Sequence, residues 1–411
     1  MNEIMVKEGN VCSPKGFRAS GVCAGFKRSG ALDTAMICSD RPCRIAAAFT
    51  SNLFCAAPVI YDRGIVSRGG DVRAVLVNSG NANACTGEQG LADARESARI
   101  VSELLAVKPD EVLVSSTGRI GVLMPMATLR KGAELAAGAL SYTGGEDASR
   151  AIMTTDTVPK AFSVELELGG CLVTLGGMTK GAGMIAPKMR PCPKQATMLA
   201  YVTTDACISR AALDAALAQA LDRSFNRITV DGDTSTNDTF VVLANGMAGN
   251  DEIQAGTPEA ARFAEALAAL AGRLAKEMVK DGEGVSRFVE VRVTGAKSDA
   301  DARICAESIA KSPLCKTAWF GADPNWGRIL CAAGYSGISF DPAKVNLDMQ
   351  GIPVVRGGMD ANVMSEAELS KAVAADEVLV ELNLGCGDGA FTVWSCDLTY
   401  EYVKINADYH T

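Results

Sequence analysis

The side chains able to do chemistry are unusual in one respect: the 411-residue chain has a single histidine, His410. Histidine is the usual base beside a Ser or Cys nucleophile, the usual transition-metal ligand and the usual proton shuttle. A Ser-His-Asp triad, a Cys-His pair and a His-rich metal site are therefore disfavoured, and proton transfer in any reaction falls to another group. The 14 cysteines contain no C-x-x-C pair, so the spacing of a structural zinc site is absent. Most resemble Cys23 in Gly21-Val22-Cys23-Ala24-Gly25 and are read as small, reduced core residues. The segment Lys180-Gly181-Ala182-Gly183-Met184-Ile185-Ala186-Pro187 joins a cation to a glycine-rich stretch. It is not a Walker loop, which needs Gly-Lys-Ser/Thr where this chain has Lys180-Gly181. Glycines let a backbone lie against a small ligand, and Lys180 supplies a charge for a carboxylate; a solvated surface lysine is the other reading. Asp231 to Thr239 is acidic and hydroxyl-rich, but an EF-hand needs Gly where Thr236 stands and Glu where Val242 stands. It reads as a hydrogen-bonded loop near a site.

These residues need elements to hold them. Arg73 to Asn78 reads as a buried strand followed by a Gly/Asn loop from Ser79 to Gly87. Leu91 to Val107 has helical spacing, Glu111 to Ser115 is a short strand running into Ser116-Thr117-Gly118, and Leu129 to Leu140 is an Ala/Leu-rich helix. Phe162 to Leu168 and Cys171 to Leu175 make a hairpin about Gly169-Gly170. Met198 to Val202 reads as a buried strand with Thr197 at its start, and Ser209 caps a helix to about Arg223. Arg227 to Val230 and Thr239 to Leu243 are strands around the polar loop, and Pro258 to Lys280 is a long amphipathic helix. Phe288 to Val293, Val378 to Leu384 and Ala390 to Val393 are further strands, and Asp299 to Ala310 a helix. Helices and strands intermix with hairpins, so the fold class is α/β (α+β), with mixed sheets packed against helices.

Length gives a prior of two to three domains at about 150 residues each. With 40 basic and 48 acidic residues the net charge is −8, which argues against nucleic acid or an anionic membrane as the main partner. No apolar run approaches transmembrane length, and the start Met1-Asn2-Glu3-Ile4-Met5-Val6-Lys7-Glu8 lacks a secretory pattern. A reducing cytoplasm is the expected compartment.

A series of short motifs then runs along the chain in order. They are Gly30-Ala31-Leu32-Asp33, Asn78-Ser79-Gly80-Asn81-Ala82-Asn83-Ala84-Cys85-Thr86-Gly87, Ser116-Thr117-Gly118, Met153-Thr154-Thr155-Asp156-Thr157 and Lys180-Gly181-Ala182-Gly183-Met184. Ala196-Thr197-Met198-Leu199, Asp231 to Thr239, Asp281-Gly282-Glu283-Gly284, Phe320 to Arg328 and Asn406-Ala407-Asp408-Tyr409-His410-Thr411 follow. Together they resemble the ornithine acetyltransferase family, or bifunctional glutamate N-acetyltransferases of arginine biosynthesis, over essentially the whole chain.

The resemblance implies an N-terminal-nucleophile-like acetyltransferase fold and self-cleavage between Ala196 and Thr197. The products are an N-terminal segment 1–196 and a C-terminal segment 197–411 that begins with the nucleophile, assembled as an α2β2 heterotetramer. It also implies Thr117 and Gly118 as the oxyanion hole, and Thr154, Lys180, Thr197, Glu283, Asn406 and Thr411 as substrate contacts. Glu283 alternatively reads as a helix-end loop carboxylate. The expected substrates are N-acetylornithine and glutamate, with no organic cofactor and no metal; acetyl-CoA as a second acetyl donor stays open. An N-terminal-nucleophile amidase or aminopeptidase with water as acceptor, and an uncleaved amino-acid-binding relative, are the alternatives. One departure from the family is Arg190-Pro191-Cys192-Pro193-Lys194-Gln195, an insert just upstream of the expected cut, which either loosens the strained peptide that self-cleavage needs or, the preferred reading, lengthens a surface tail after the cut.

Overall fold

β-Branched and small apolar residues, concentrated in stretches of strand length, build two sheets. The computed structural model describes residues 4–191 and 198–408. These divide into two compact units, one drawn from Met1–Asn226 with Thr234–Met278, the other from Arg227–Asp233 with Val279–His410.

The first unit carries β1 (Val6–Glu8), β2 (Phe17–Val22), β3 (Thr34–Phe49), α1 (Ala57–Arg68), β4 (Val72–Asn81), α2 (Gly87–Leu105), β5 (Val112–Arg119), α3 (Met126–Gly138) and α4 (Gly145–Ala151). It continues with β6 (Lys160–Leu168), β7 (Cys171–Lys180), β8 (Arg190–Pro191), β9 (Leu199–Thr204), α5 (Arg210–Asp222), β10 (Thr239–Ala244) and α6 (Pro258–Lys280). The strands form one sheet in the order β1-β6-β7-β9-β10-β3-β4-β5, with β2 and β8 also paired to β3. β3 joins its two halves. Its first half pairs with β2 and β4, its second with β10, and the register shifts between Cys38 and Cys43. Pro42, in that break, has no N–H to give a ladder.

β4 and β5 are parallel, joined by α2 as a crossover helix. Met36, Leu76, Ala94, Ala98, Val101, Val114 and Leu129 pack where α2 and α3 cover one face, and Phe17, Ile37, Ile45, Val75, Leu113, Tyr201 and Val241 belong to a second cluster. The β6–β7 hairpin turns on Gly169 and Gly170, with φ 57° and 76°, the positive values a tight hairpin needs. β9 is buried throughout, parallel to β10 and antiparallel to β7. α6 lies against β7 closely enough that a Cβ on Gly177 would stand 2.9 Å from Leu274 Cδ1.

The second unit has β11 (Phe288–Ala296), α7 (Asp299–Lys311), α8 (Pro313–Phe320), α9 (Trp326–Gly334), β12 (Asn346–Met349), β13 (Ile352–Arg356), β14 (Met359–Asp360), α10 (Glu366–Val373), β15 (Glu377–Asn383), β16 (Gly389–Cys396) and α11 (Tyr400–Asp408). Its sheet runs β14-β13-β12-β15-β11-β16. Val289, Val291, Val293, Ile309, Trp319, Leu347 and Val380 form its core.

Two mixed sheets with helices agree with the expected class. Ser209 accepts the Ala212 N–H, as an N-cap should. Other expectations are corrected. Ser116-Thr117-Gly118 is the end of β5 and not a turn beyond it, and β4 runs on to Asn81, into the expected loop. β7 continues to Lys180, so the lysine ends a strand. Arg227 to Val230 is not a strand and makes only a bridge from Ile228 to Trp394. Every described cysteine is free. Burial raises the thiols of Cys43 and Cys305 to about 12, keeping them protonated and inert. Among the described residues no helix is long and apolar enough to cross a membrane.

Leu274 is fully buried, so Leu274→Ala should lower unfolding stability by about 2–5 kcal/mol, with the denaturant midpoint falling and the slope unchanged. A loss under about 1 kcal/mol would mean that α6 is not packed against β7 as described.

Candidate functional site

Lys180 is the centre of the site in the first unit. It ends β7 opposite Leu199, the first residue of β9, and the residue is 8% exposed. Its Nζ donates to Thr154 Oγ1 at 2.7 Å and to Thr117 Oγ1 at 3.2 Å. Three residues distant in sequence thus share one ammonium group. Thr117 and Gly118 lie where the β4–β5 ladder breaks register at Gly80 and Asn81. A bulge of this kind re-aims backbone groups out of a ladder. Gly118 has φ 124° and Gly80 has φ 111°, and a Cβ on Gly118 would stand 2.5 Å from the Gly80 carbonyl carbon. Only glycine fits there.

Thr154 is placed by the carboxylate two residues on. Asp156 accepts the Thr154 N–H at 3.0 Å, the Gly181 N–H at 2.6 Å and the Lys160 ammonium at 2.8 Å. The Asp156–Lys160 pair is almost fully buried. Burial opposes ionisation of Asp156, but Lys180 and Lys160 outweigh it and hold the carboxyl well below the usual range. Asp156 therefore ties the Thr154 loop to the glycine-rich segment that begins at Gly181. Another carboxylate, Asp33, gathers the N–H groups of Ala24, Gly25, Phe26 and Lys27. This loop brings Phe26 over Gly80, where a Cβ would meet Phe26 Cβ at 3.2 Å. Burial, opposed by Asp33 and assisted by Lys180, lowers the Lys27 ammonium pKa.

The polar loop is hydrogen-bonded to the same strands. Asn237 Nδ2 donates to Ser116 O at 2.7 Å and to Ala82 O at 2.6 Å. Thr50 Oγ1 donates to Ser235 O, and Asn52 Nδ2 to Thr234 O. The Thr239 N–H donates to Met198 O.

In the second unit, Asn406 on α11 donates from Nδ2 to Glu283 Oε2 at 2.8 Å. Gly284 has φ 68°, and a Cβ there would stand 2.5 Å from the Tyr402 backbone nitrogen. Thr399 Oγ1 donates to Gly284 O at 2.6 Å and accepts the Tyr402 N–H, closing the Glu283 loop onto the start of α11. Burial, then Asp231, Glu283 and Asp233, raise the Tyr402 hydroxyl pKa.

Of the expected site residues, Thr117, Gly118, Thr154 and Lys180 come together in one unit, and Glu283 and Asn406 in the other. Ala196, Thr197 and Thr411 lie outside the described residues. Arg190–Pro191, which opens the insert, pairs with Phe49 and Ala48 of β3; the rest of the insert is also outside them. Sequence reasoning did not single out Asp156, Lys160, Asn237 or Asp33. All but Lys160 sit within quoted motifs, which was the available signal. Lys160 is separated from Asp156 by three residues that include Pro159, and nothing local marks it.

A model of the ArgJ family matches residues 18–411. The arginine biosynthesis bifunctional protein ArgJ of Symbiobacterium thermophilum is 50% identical over 405 residues, spanning 98% of this chain and 99% of that protein. The Geobacter sulfurreducens protein of the same name is 48% identical over 397 residues, 97% and 99% of the two chains. Among solved structures, ornithine acetyltransferase from Mycobacterium tuberculosis complexed with ornithine is 41% identical, covering 46% of this chain and 100% of its own, with a TM-score of 0.43.

Because the folded Asp156 carboxyl is more acidic than an unfolded one, its contribution is complete above a pH of about 4 and fades as pH falls below that. Asp156→Asn should therefore cost about 3–5 kcal/mol at pH 7 by leaving Lys160 buried and unpaired. The gap from the unsubstituted protein should narrow at acid pH. Stability curves measured from pH 7 to 3 that stay parallel would contradict the assigned pairing.

Proposed function

The chain belongs to the ArgJ family, and from that membership together with the Lys180 cluster we propose a two-step acetyl transfer through an acetyl-Thr197 ester. The protein is an acyltransferase of arginine biosynthesis. In the proposed reaction the acetyl group leaves N-acetylornithine and reaches glutamate. The observation that carries the site assignment is the Lys180 ammonium shared between the Thr117 and Thr154 hydroxyls.

Self-cleavage of the Ala196–Thr197 bond frees an α-amine of pKa about 8. Part of it is neutral near pH 7 and takes the proton from its own hydroxyl, which suits a chain with one histidine. The Thr197 oxygen attacks the acetamide carbonyl, and a tetrahedral oxyanion forms. Thr117 and Gly118, at the broken ladder, supply its donors, each worth roughly 3–4 kcal/mol. Ornithine leaves as its amine takes the proton, and the acetyl ester remains. The glutamate amine then attacks the ester, and N-acetylglutamate departs as Thr197 recovers its proton.

Lys180 pairs with a substrate carboxylate, and Thr154 orders that contact. Glu283, Asn406 and Thr411 are assigned to substrate binding on the family pattern. An α2β2 assembly of cleaved chains in the cytoplasm completes the reading.

Purified protein given N-acetylornithine and glutamate should form N-acetylglutamate with ping-pong kinetics. Release of acetate in its place would make the protein an amidase. Thr197→Ala should stay one chain on a denaturing gel and show no transfer; a variant that still splits or turns over removes Thr197 from its role.

A further inference from the structure

Lys27 puts a second amine beside the Lys180 cluster. It stands in the loop that joins β2 to β3, whose shape is set by Asp33: the buried carboxylate accepts the N–H groups of Ala24, Gly25, Phe26 and Lys27. The Lys27 ammonium reaches back to the Leu32 carbonyl at 2.6 Å. A carbonyl takes one of the three hydrogens of an ammonium group and neutralises none of its charge. The residue is half-buried, so its charge is neither freely hydrated nor sealed away.

The loop rests on the strand pair that carries the proposed oxyanion donors. The Asp33 carbonyl accepts the Ser79 N–H at 2.8 Å, and Ser79 and Gly80 stand opposite Thr117 and Gly118 in the β4–β5 ladder. Phe26, one residue before Lys27, lies against Gly80, whose added Cβ would meet the Phe26 carbonyl oxygen at 3.3 Å. From β7, Lys180 reaches the Thr117 hydroxyl. Lys27 and Lys180 thus come to one bulge from two elements. Burial, then the Lys180 ammonium, lower the Lys27 pKa against the pull of Asp33 and Asp156.

Two like charges in a partly buried place raise each other's cost, and an anion between them lowers it. The carboxylates that act on Lys27 are already engaged, Asp33 with its N–H groups and Asp156 with Lys160, Thr154 and Gly181. The substrates can supply the missing anion. Ornithine and N-acetylornithine carry one carboxylate each, on the α-carbon, whereas glutamate carries a second at the end of its side chain. We propose that Lys27 is a specificity residue of the acetyl transfer, pairing with the side-chain carboxylate of the glutamate acceptor while Lys180 holds the carboxylate on the α-carbon. This rests on the acetyl-transfer reading. One lysine serves what both amino acids share, and the other serves what glutamate alone presents.

Lys27→Met keeps most of the stem and removes the charge. Calorimetric titration with no acetyl donor present should show glutamate binding weakened about tenfold or more, with ornithine bound no more weakly than by the unsubstituted protein. Lys27→Arg, which keeps the charge, should retain most of the glutamate affinity. Glutamate bound as tightly by Lys27→Met as before, or equal losses for glutamate and ornithine, as a displaced loop would give, overturns the proposal. Should the variants not fold, the unsubstituted protein is acylated with a succinimidyl ester and the Lys27 peptide is followed by mass spectrometry. Such reagents attack the neutral amine, so an ion pair with a carboxylate should slow acylation of Lys27 about fivefold or more. N-acetylglutamate, which has no free amine to consume the reagent, should give that protection and N-acetylglutamine should not. Equal rates with and without N-acetylglutamate, or equal protection by both compounds, overturns the proposal. Neither readout needs turnover, so a protein that binds glutamate through Lys27 but transfers no acetyl group ends the acetyl-transfer reading and leaves the assignment of Lys27 standing.

Discussion

A buried ion pair governs the geometry of the larger unit. Asp156 and Lys160 lie almost wholly out of water, and removing one partner would leave an uncompensated charge inside. The same carboxylate takes the N–H groups of Thr154 and Gly181. It therefore fixes the residues on both sides of the Lys180 ammonium, which in turn holds the Thr117 and Thr154 hydroxyls. Charge here is spent on position: the Lys180 and Lys160 ammonium groups have hydroxyl and carboxylate partners whose own backbones are anchored. Glycine does the complementary work. The Gly80–Gly118 approach is tolerated only without Cβ atoms, and it puts the break in the β4–β5 ladder where the family pattern expects backbone donors.

The polar loop extends this network. Asn237 Nδ2 donates to the Ser116 and Ala82 carbonyls. Asp238 follows it with a carboxyl that has no partner among the described residues. A reaction that moves protons with one histidine in the chain must draw on amines and carboxyls whose affinities are tuned by burial. Asp156 and Asp238 show opposite outcomes of that tuning, one held ionised by lysines, the other pushed toward its acid form.

Much of this was legible in the sequence, because the ordered motifs mark the residues that converge. Thr117, Gly118, Thr154 and Lys180 all stand in those motifs, and the apolar spacing of Pro258 to Lys280 and the cap at Ser209 mark the helices α6 and α5. Strand ends were less legible. β5 runs through Thr117–Gly118 and β7 through Lys180, because parallel and antiparallel neighbours extend a strand past its apolar run. Local pattern cannot see a partner strand. Between α7 and β15, the chain holds α8, α9, α10 and a β-meander that the sequence reading passed over; the short strands β12 to β14 give too few alternations to stand out. The role of Asp156 was hidden because its partner Lys160 lies across a proline, and a buried lysine has no local signature.

The most direct measurement is peptide mass spectrometry of the mature protein after incubation with N-acetylornithine alone. The account predicts a C-terminal piece that begins at Thr197 and carries one acetyl group as an ester on that residue, removed when glutamate is added. Fully active protein in which residue 196 is still joined to 197, or an acetyl group found on any other side chain, would contradict it.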